Sequence, residues 1–269
     1  MANPTHRNLL ERGVTAWNRW RSENTEAIPD LKKAVMRDAE LLKAKLAKAH
    51  LEGADLRGAS LFRADLREAD LHEANLEGAD LFRADLRGAN LHRANLKKAE
   101  LLGTFLDGAN LRGANLGGAY LRKAKLWEAV LAQADLSQAD LSQGDLRLAD
   151  LRKARLWRAR LADANLEGAD LRHADFGEAV FCGARLHQAD FRGADFWKSD
   201  LKGADLSKAD LRGAVDLEVE QLVVAKTLYQ ARLDPDLAAR VRERRPDLFE
   251  KPLTEPEEVK PWEDEFEGD

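Results

Sequence analysis

The chain contains a single cysteine, Cys182, and its 269 residues include no long apolar run. One cysteine excludes an internal disulfide framework. A membrane-spanning helix needs about 20 mostly apolar residues, and no segment approaches that length. The first residues, 1–7, are not followed by the apolar core of a signal peptide. These absences predict a cytoplasmic protein that does not span a membrane.

Proline is absent from the middle of the chain, since all seven prolines lie outside residues 30–234. Proline cannot donate to a backbone hydrogen-bond ladder, so a long proline-free block favours a continuous one. Charge divides in the same way. Residues 215–269 carry sixteen acidic against eight basic side chains, and residues 1–30 are balanced, so the whole-chain charge of −5 leaves +3 on residues 31–214. The acidity therefore belongs to the C-terminal segment.

A five-residue repeat runs through the proline-free block without a change of frame. Every fifth residue from Leu31 to Leu211 is apolar, and 32 of these 37 residues are leucine. Two residues before each of them, from Ala34 to Ala209, alanine occupies 33 of 36 positions. The three exceptions are also small: Thr104, Gly144 and Ser199. Such internal self-similarity is the signature of a repeat architecture.

A period of five fits neither of the ordinary elements. On an α-helix the leucines would spiral over every face, and in a plain strand successive leucines would point to opposite faces. Within one unit, however, alanine and leucine are two residues apart, so an extended trio points both of them inward. The chain must then turn once per unit, and repeated turning of one hand winds a coil around a dry alanine–leucine core.

The units resemble those of the pentapeptide-repeat proteins, whose motif is A-(D/N)-L-x-x. Ala54-Asp55-Leu56-Arg57-Gly58 and Ala169-Asp170-Leu171-Arg172-His173 are two examples, and the resemblance covers roughly two thirds of the chain. It implies an all-β solenoid, a right-handed quadrilateral β-helix with four units per coil and about nine coils. The block 31–214 is accordingly assigned to this β-helix.

Short α-helical caps are expected at both ends, because an open coil exposes unpaired backbone and core leucines. At the N-terminus, residues 1–30, the spacing predicts a helix over residues 5–23 with Thr5 as its N-cap. In the C-terminal cap, residues 215–250, apolar spacing predicts a helix from Val219 to Tyr229. A further helix is predicted to begin at Asp234-Pro235 and to end before Pro246. Both flanks also resemble segments that accompany such repeats in bacterial proteins.

The acidic segment 251–269 cannot bury enough apolar surface to fold alone, which predicts a disordered tail. The alternative is a short docking motif that includes Trp262 and Phe266.

No motif predicts catalysis, a metal site or a cofactor. His72 and His92 are four units apart and share a wall, but their column continues into arginines, which repel a cation. Cys182 should point outward on a flat wall, with no histidine placed to activate it. The recurring glycines follow the five-residue period, which indicates corners rather than a phosphate-binding loop. The sequence therefore predicts a protein that is not an enzyme.

Outward side chains four units apart should stack into columns along the walls. An aspartate column and an arginine column should run side by side, forming a candidate charged wall in the C-terminal half of the block. Its members are Asp150, Asp170, Asp190, Asp210, Arg152, Arg172, Arg192 and Arg212. The family resemblance implies one use for an acidic column, since some members resemble B-DNA and protect DNA gyrase by mimicry. The adjacent arginines should cancel that field, whereas a duplex presents unrelieved negative charge. The aspartates are expected instead to bond their own turns.

A second column is apolar and outward-facing in the N-terminal half of the block. Its members, a candidate partner-binding ridge, are Leu42, Phe62, Phe82 and Leu102. A contiguous exposed apolar patch usually marks a contact, and aromatic anchors are typical of binding hot spots. The competing interpretation is internal cover, in which the N-terminal helix folds back over Leu42 and Phe62.

The sequence favours a non-catalytic protein–protein interaction scaffold. The alternative is a DNA-mimicking binder that protects DNA gyrase, of the type that gives resistance to topoisomerase inhibitors. Direct nucleic-acid binding is not expected, because the block carries a mixed charge. The identity of the partner and any homo-oligomeric state are left open by the sequence.

Overall fold

The structure, a computed structural model, describes residues 2–252. Four α-helices lie at the two ends of the chain: α1 (Pro4–Glu11), α2 (Val14–Glu23), α3 (Val219–Leu222) and α4 (Pro235–Arg244). A 3-10 helix follows at Pro246–Phe249. Between α2 and α3 the chain is built from repeated turns and single-residue β-bridges. Most of the predicted tail, residues 253–269, lies outside the described residues.

Each five-residue unit contains one tight turn. In the first unit, the backbone N–H of Ala34 donates to the carbonyl of Leu31 at 3.0 Å, and Lys33 between them has a φ of 57°. A positive φ at the third turn residue alone is the requirement of a type II turn. The same position is left-handed along the whole block, and it is occupied by glycine in units such as Gly53 and Gly58. The turn changes the chain direction by a fixed amount once per unit.

Neighbouring coils pair in parallel, and each bridge joins a residue to its counterpart four units further along the chain, from Asp30↔His50 to Asp195↔Val215. Backbone bonds run between the coils, as the N–H of Leu31 donates to the carbonyl of His50 at 2.8 Å and that of Asp55 donates to Ala34 at 2.9 Å. Because this four-unit offset is constant, each coil consists of four units and presents four walls.

The core is formed by the two inward residues of each unit. Ala139 and Leu141 are fully buried, as are nearly all their counterparts. Thr104, which replaces an alanine, satisfies its buried hydroxyl by donating to the carbonyl of Leu81 at 2.8 Å. In the last coils four phenylalanines replace leucine and pack ring against ring, with centroids 5.1–6.4 Å apart. They are Phe176, Phe181, Phe191 and Phe196.

The N-terminal segment differs from the single helix predicted over residues 5–23. The helix is broken into α1 and α2 at Gly13, whose φ of 99° is a conformation that glycine adopts without steric cost. The N-cap is Asn3 rather than Thr5, and the Asn3 side chain accepts from the N–H groups of Thr5 and His6. Trp17 of α2 is fully buried and donates its indole N–H to the carbonyl of Lys45 at 2.9 Å.

The helix predicted from Val219 to Tyr229 is wrong, because α3 ends at Leu222. Beyond it the chain rejoins the β-helix: Asp205 pairs with Thr227 and Asp210 with Arg232, so the four-unit offset is lengthened by two residues. These two extra residues are accommodated around α3. After them Leu228 is buried, and the N–H of Ala231 donates to its carbonyl at 2.9 Å, as in every earlier turn.

The start of α4 is confirmed, with Asp234 as N-cap and Pro235 in the first turn. The Asp234 carboxylate does not bond the helix itself. It accepts from the N–H of Gly213 at 3.1 and 3.2 Å, and so satisfies a donor at the end of the ladder. Val241 of α4 and Leu248 beyond it are buried against the last turns.

Candidate functional site

The walls offer flat surfaces on which outward side chains repeat at fixed positions. The residue that follows each inward leucine is the first turn residue, and its side chain points away from the core. Because neighbouring coils pair with a constant four-unit offset, such side chains stack into a column. Residues four units apart in the sequence therefore lie next to each other on one wall.

The ridge consists of Leu42, Phe62, Phe82 and Leu102, one from each of four successive coils. Leu42 is 48% exposed and the other three are half-buried. The rings of Phe62 and Phe82 are stacked, with centroids 5.4 Å apart and planes inclined by 26°. Stacking in adjacent coils restricts the two rings, which reduces the side-chain freedom that would be lost on binding.

A basic row, Lys43, Arg63 and Arg83, runs along one side of the ridge, in the column one residue further on. Gly103 stands beside Leu102, and Lys123 follows one coil beyond the ridge. The guanidinium of Arg63 lies 5.6 Å from the ring centroid of Phe62, and that of Arg83 lies 5.5 Å from that of Phe82. Both distances allow a cation–π interaction.

An acidic row, Glu40, Asp80 and Glu100, runs along the other side, with Ser60 among them. Glu40 and Glu100 are exposed. The ridge is thus bordered by charges of opposite sign.

Helix α2 lies beside the ridge without burying it. Its Asn18 side chain donates to the carbonyl of Lys43 at 3.0 Å and accepts from the N–H of Lys45 at 2.8 Å. Those contacts lie at the corner that follows Leu42, which keeps about half its surface exposed. The interpretation of internal cover requires Leu42 and Phe62 beneath α2, and neither is buried.

The charged wall is a set of closed ion pairs rather than two independent columns. Arg152 donates Nε and Nη2 to the two carboxylate oxygens of Asp150 at 2.8 and 2.7 Å, and its backbone N–H donates to Asp150 at 3.1 Å. The same three bonds recur in the units of Asp170, Asp190 and Asp210. The prediction that these aspartates bond their own turns is confirmed.

Electrostatics on this wall follow from that pairing. Arg152 lowers the pKa of the Asp150 carboxyl, and Arg192 and Arg212 lower those of Asp190 and Asp210. Arginines also reach the next coil, as Arg152 Nε lies 3.5 Å from Asp170 and Arg172 Nε lies 3.7 Å from Asp190. Each carboxylate of the charged wall is therefore neutralised by the arginine of its own unit.

The remaining chemical candidates are two stacked histidines and a hydrogen-bonded thiol. His72 and His92 stack with centroids 5.2 Å apart, and no group of three or more histidine, cysteine or acidic residues that could hold a metal occurs within residues 2–252. The Cys182 thiol donates to the Asp200 carboxylate at 3.2 Å. Burial, together with Asp200, raises the pKa of Cys182, which suppresses the nucleophilic thiolate.

One aromatic pair is not anticipated by the sequence reasoning. Trp157 and Trp197 share a column two coils apart, with Gly177 between them. A Cβ on Gly177 would lie 3.0 Å from Cδ1 of Trp157, so glycine leaves room for that indole. Arg158 and Lys198 lie 4.1 and 4.5 Å from the respective ring centroids. The sequence does contain the signal, because Trp157 and Trp197 are a whole number of coils apart and so fall in the same column.

Comparison with known proteins identifies the family to which this chain belongs. The family model for pentapeptide repeats matches overlapping stretches that together run from residue 30 to residue 215. The chain therefore belongs to the pentapeptide-repeat family, which implies a right-handed β-helix solenoid. Proteins of this family are generally structural or interaction proteins. Among the helices of residues 2–252, none could span a membrane.

Among solved structures, the chain is similar to HetL, a pentapeptide repeat protein involved in heterocyst differentiation regulation in the cyanobacterium Nostoc sp. strain PCC 7120. The identity is 38%, with 75% of this chain and 86% of HetL covered and a TM-score of 0.57. QnrB1, a plasmid-mediated fluoroquinolone resistance protein, matches at 16% identity over 78% of this chain and 94% of its own, with a TM-score of 0.42. The search of curated proteins found no match.

Proposed function

We propose that this protein is a non-catalytic scaffold that binds a partner protein through the ridge on its N-terminal half. One observation carries the proposal. Four apolar side chains in consecutive coils form an unburied column, and two of them are stacked phenylalanines. Aromatic side chains held on a rigid support are typical of residues that dominate binding energy.

The rest of the molecule fits that role. Residues 31–214 would serve as the rigid body, and residues 1–30 and 215–250 would close its ends with α1, α2 and α4. Each coil contacts only its neighbours, so the columns keep their spacing along the rod. Rigidity of this kind reduces the entropy lost on binding.

The rival function, mimicry of DNA towards DNA gyrase, has less support from the geometry. A mimic needs unrelieved negative charge along one face. The aspartate column here is matched by bidentate arginines, residue for residue.

A pulldown from the native host tests the proposal. We expect Phe82→Glu combined with Leu102→Glu to leave the far-ultraviolet spectrum and melting temperature unchanged and to abolish partner recovery, because charge would replace the central apolar contacts. The matched control is Val35→Glu with Leu148→Glu, two exposed apolar residues outside the ridge. Equal recovery with both double variants would rule out the ridge as the interface.

A further inference from the structure

We infer that the ridge receives an amphipathic α-helix of the partner, lying along the rod axis, with acidic side chains over the basic row and basic side chains over the acidic row. The inference rests on the proposed function and adds the shape and charge of what binds.

The backbone of this wall is not available to a partner strand. At the middle of the ridge, the N–H groups of Leu81 and Arg83 donate to the carbonyls of Glu100 and Leu102 in the next coil. The N–H of Phe82 donates to the Asp80 carboxylate at 2.9 Å. Strand addition requires an edge with free donors and acceptors, and here these groups are already paired. Recognition must therefore pass through side chains.

The spacing along the ridge is closer to the turn of a helix than to the repeat of a strand. Paired coils lie roughly 4.8 Å apart, and the ring centroids of Phe62 and Phe82, in adjacent coils, are 5.4 Å apart. An α-helix advances about 5.4 Å per turn, so side chains at i, i+3 or i+4, and i+7 would meet successive members of the ridge. Same-face side chains of an extended strand are roughly 6.6 Å apart and would fall out of step within three coils.

The flanking charges define the direction in which the helix runs along the rod. On one side of the ridge Lys43 is exposed and Arg63 and Arg83 are half-buried, and on the other side Glu40 and Glu100 are exposed. A helix that seats its apolar stripe on the ridge places its two polar flanks over these rows. Complementary charge on each flank selects one direction of the helix along the rod and rejects the reversed one.

The inference is tested by selecting, on the immobilised full chain, from a display library of random peptides of about 20 residues. Peptides that also bind the Phe82→Glu, Leu102→Glu variant are removed. We expect the enriched sequences to carry apolar residues at helical spacing, acidic residues on one flank and basic residues on the other. Their circular dichroism should become helical on binding.

Charge reversal gives the second readout. Arg63→Glu with Arg83→Glu should weaken binding of a selected peptide by roughly tenfold or more, and acidic-to-lysine changes on the facing flank of the peptide should restore it. Arg112→Glu, at an exposed arginine on another wall, is the control and should leave affinity unchanged.

Four results would overturn the inference. Ridge-dependent peptides with alternating apolar residues would replace the helix by an extended partner and leave the proposed function standing. Failure to find any ridge-dependent peptide would contradict both the helical partner and the proposed function. Competition by a synthetic peptide of residues 253–269 would identify the chain's own C-terminal segment as the occupant. A dimer in solution that Phe82→Glu with Leu102→Glu dissociates would identify a second copy.

Discussion

At the scale of single residues, the small inward position is the most restrictive in the structure. Ala139 is fully buried, with neighbouring coils above and below it. We expect Ala139→Leu to lower the free energy of unfolding by about 1–3 kcal/mol, because added methylenes force a tight core apart. Denaturant titration measures the change.

The matched control for that substitution is Ala162→Leu, which makes the same change at an outward position. It should stay within about 0.5 kcal/mol of the wild type. Equal stability of the two variants would mean that Ala139 does not face the core.

The aspartates of the charged wall predict a pH dependence. Their arginine partners lower the pKa values of Asp150, Asp190 and Asp210 in the folded state. A carboxylate with a depressed folded-state pKa stabilises the protein above its unfolded pKa, and this contribution is lost as pH falls through the folded value. Replacing all three by asparagine should therefore reduce the loss of unfolding free energy between pH 7 and strongly acidic pH.

Asparagine is a suitable replacement because Asn90 and Asn110 already stand in the same column. Each accepts the turn bond from the backbone N–H two residues on. Acid titrations that superimpose for the wild type and the triple variant would show that the ion pairs contribute nothing to stability.

At the scale of elements, the fold of the repeat could be predicted from the sequence, whereas the helices at the two ends could be predicted only in part. Alanine and leucine at fixed spacing determine which side chains point inward, and the columns follow from the constant four-unit offset between coils. The error at Val219–Tyr229 has a physical cause. Leu228, Ala231 and Leu233 repeat the inward pattern, but two residues out of frame. The apolar residues before them, Val219, Leu222, Val223 and Tyr229, have spacings that fit one face of a helix.

The ridge illustrates the same limit for the candidate site. Its column could be read from the sequence, whereas the position of α2 beside Leu42 depends on Gly13. The φ of 99° at this residue turns the chain between α1 and α2. A backbone angle of that kind is not encoded by apolar spacing, so exposure of the ridge required the structure.

The C-terminal elements give a prediction about truncation. Deleting residues 215–250 should lower the melting temperature far more than deleting residues 255–269. The first deletion removes the buried side chains of Leu228, Val241 and Leu248 and exposes the last coil. The second removes a charged segment. Equal melting temperatures would show that the last coil is stable without these elements.

At the scale of the whole molecule, the balance of charge along the rod predicts how it behaves towards DNA gyrase. We expect no inhibition of supercoiling and no protection from a quinolone at micromolar protein, since the arginines neutralise the aspartate column. Supercoiling assays at several salt concentrations measure this. Stoichiometric, salt-sensitive inhibition would favour the mimic over the scaffold.

Because the offset between coils is constantly four units, the position of a residue in the sequence determines which of the four walls it lies on. Gain or loss of a whole coil changes the length and returns every later side chain to its own wall. Gain or loss of one five-residue unit turns everything beyond it through a quarter of a revolution, so such a change between Leu42 and Leu102 would split the ridge between two walls. The length of the rod can therefore change in evolution by whole coils without moving side chains to other walls. Across α3, two additional residues are inserted, and the pairing of the later residues with the preceding coil is kept.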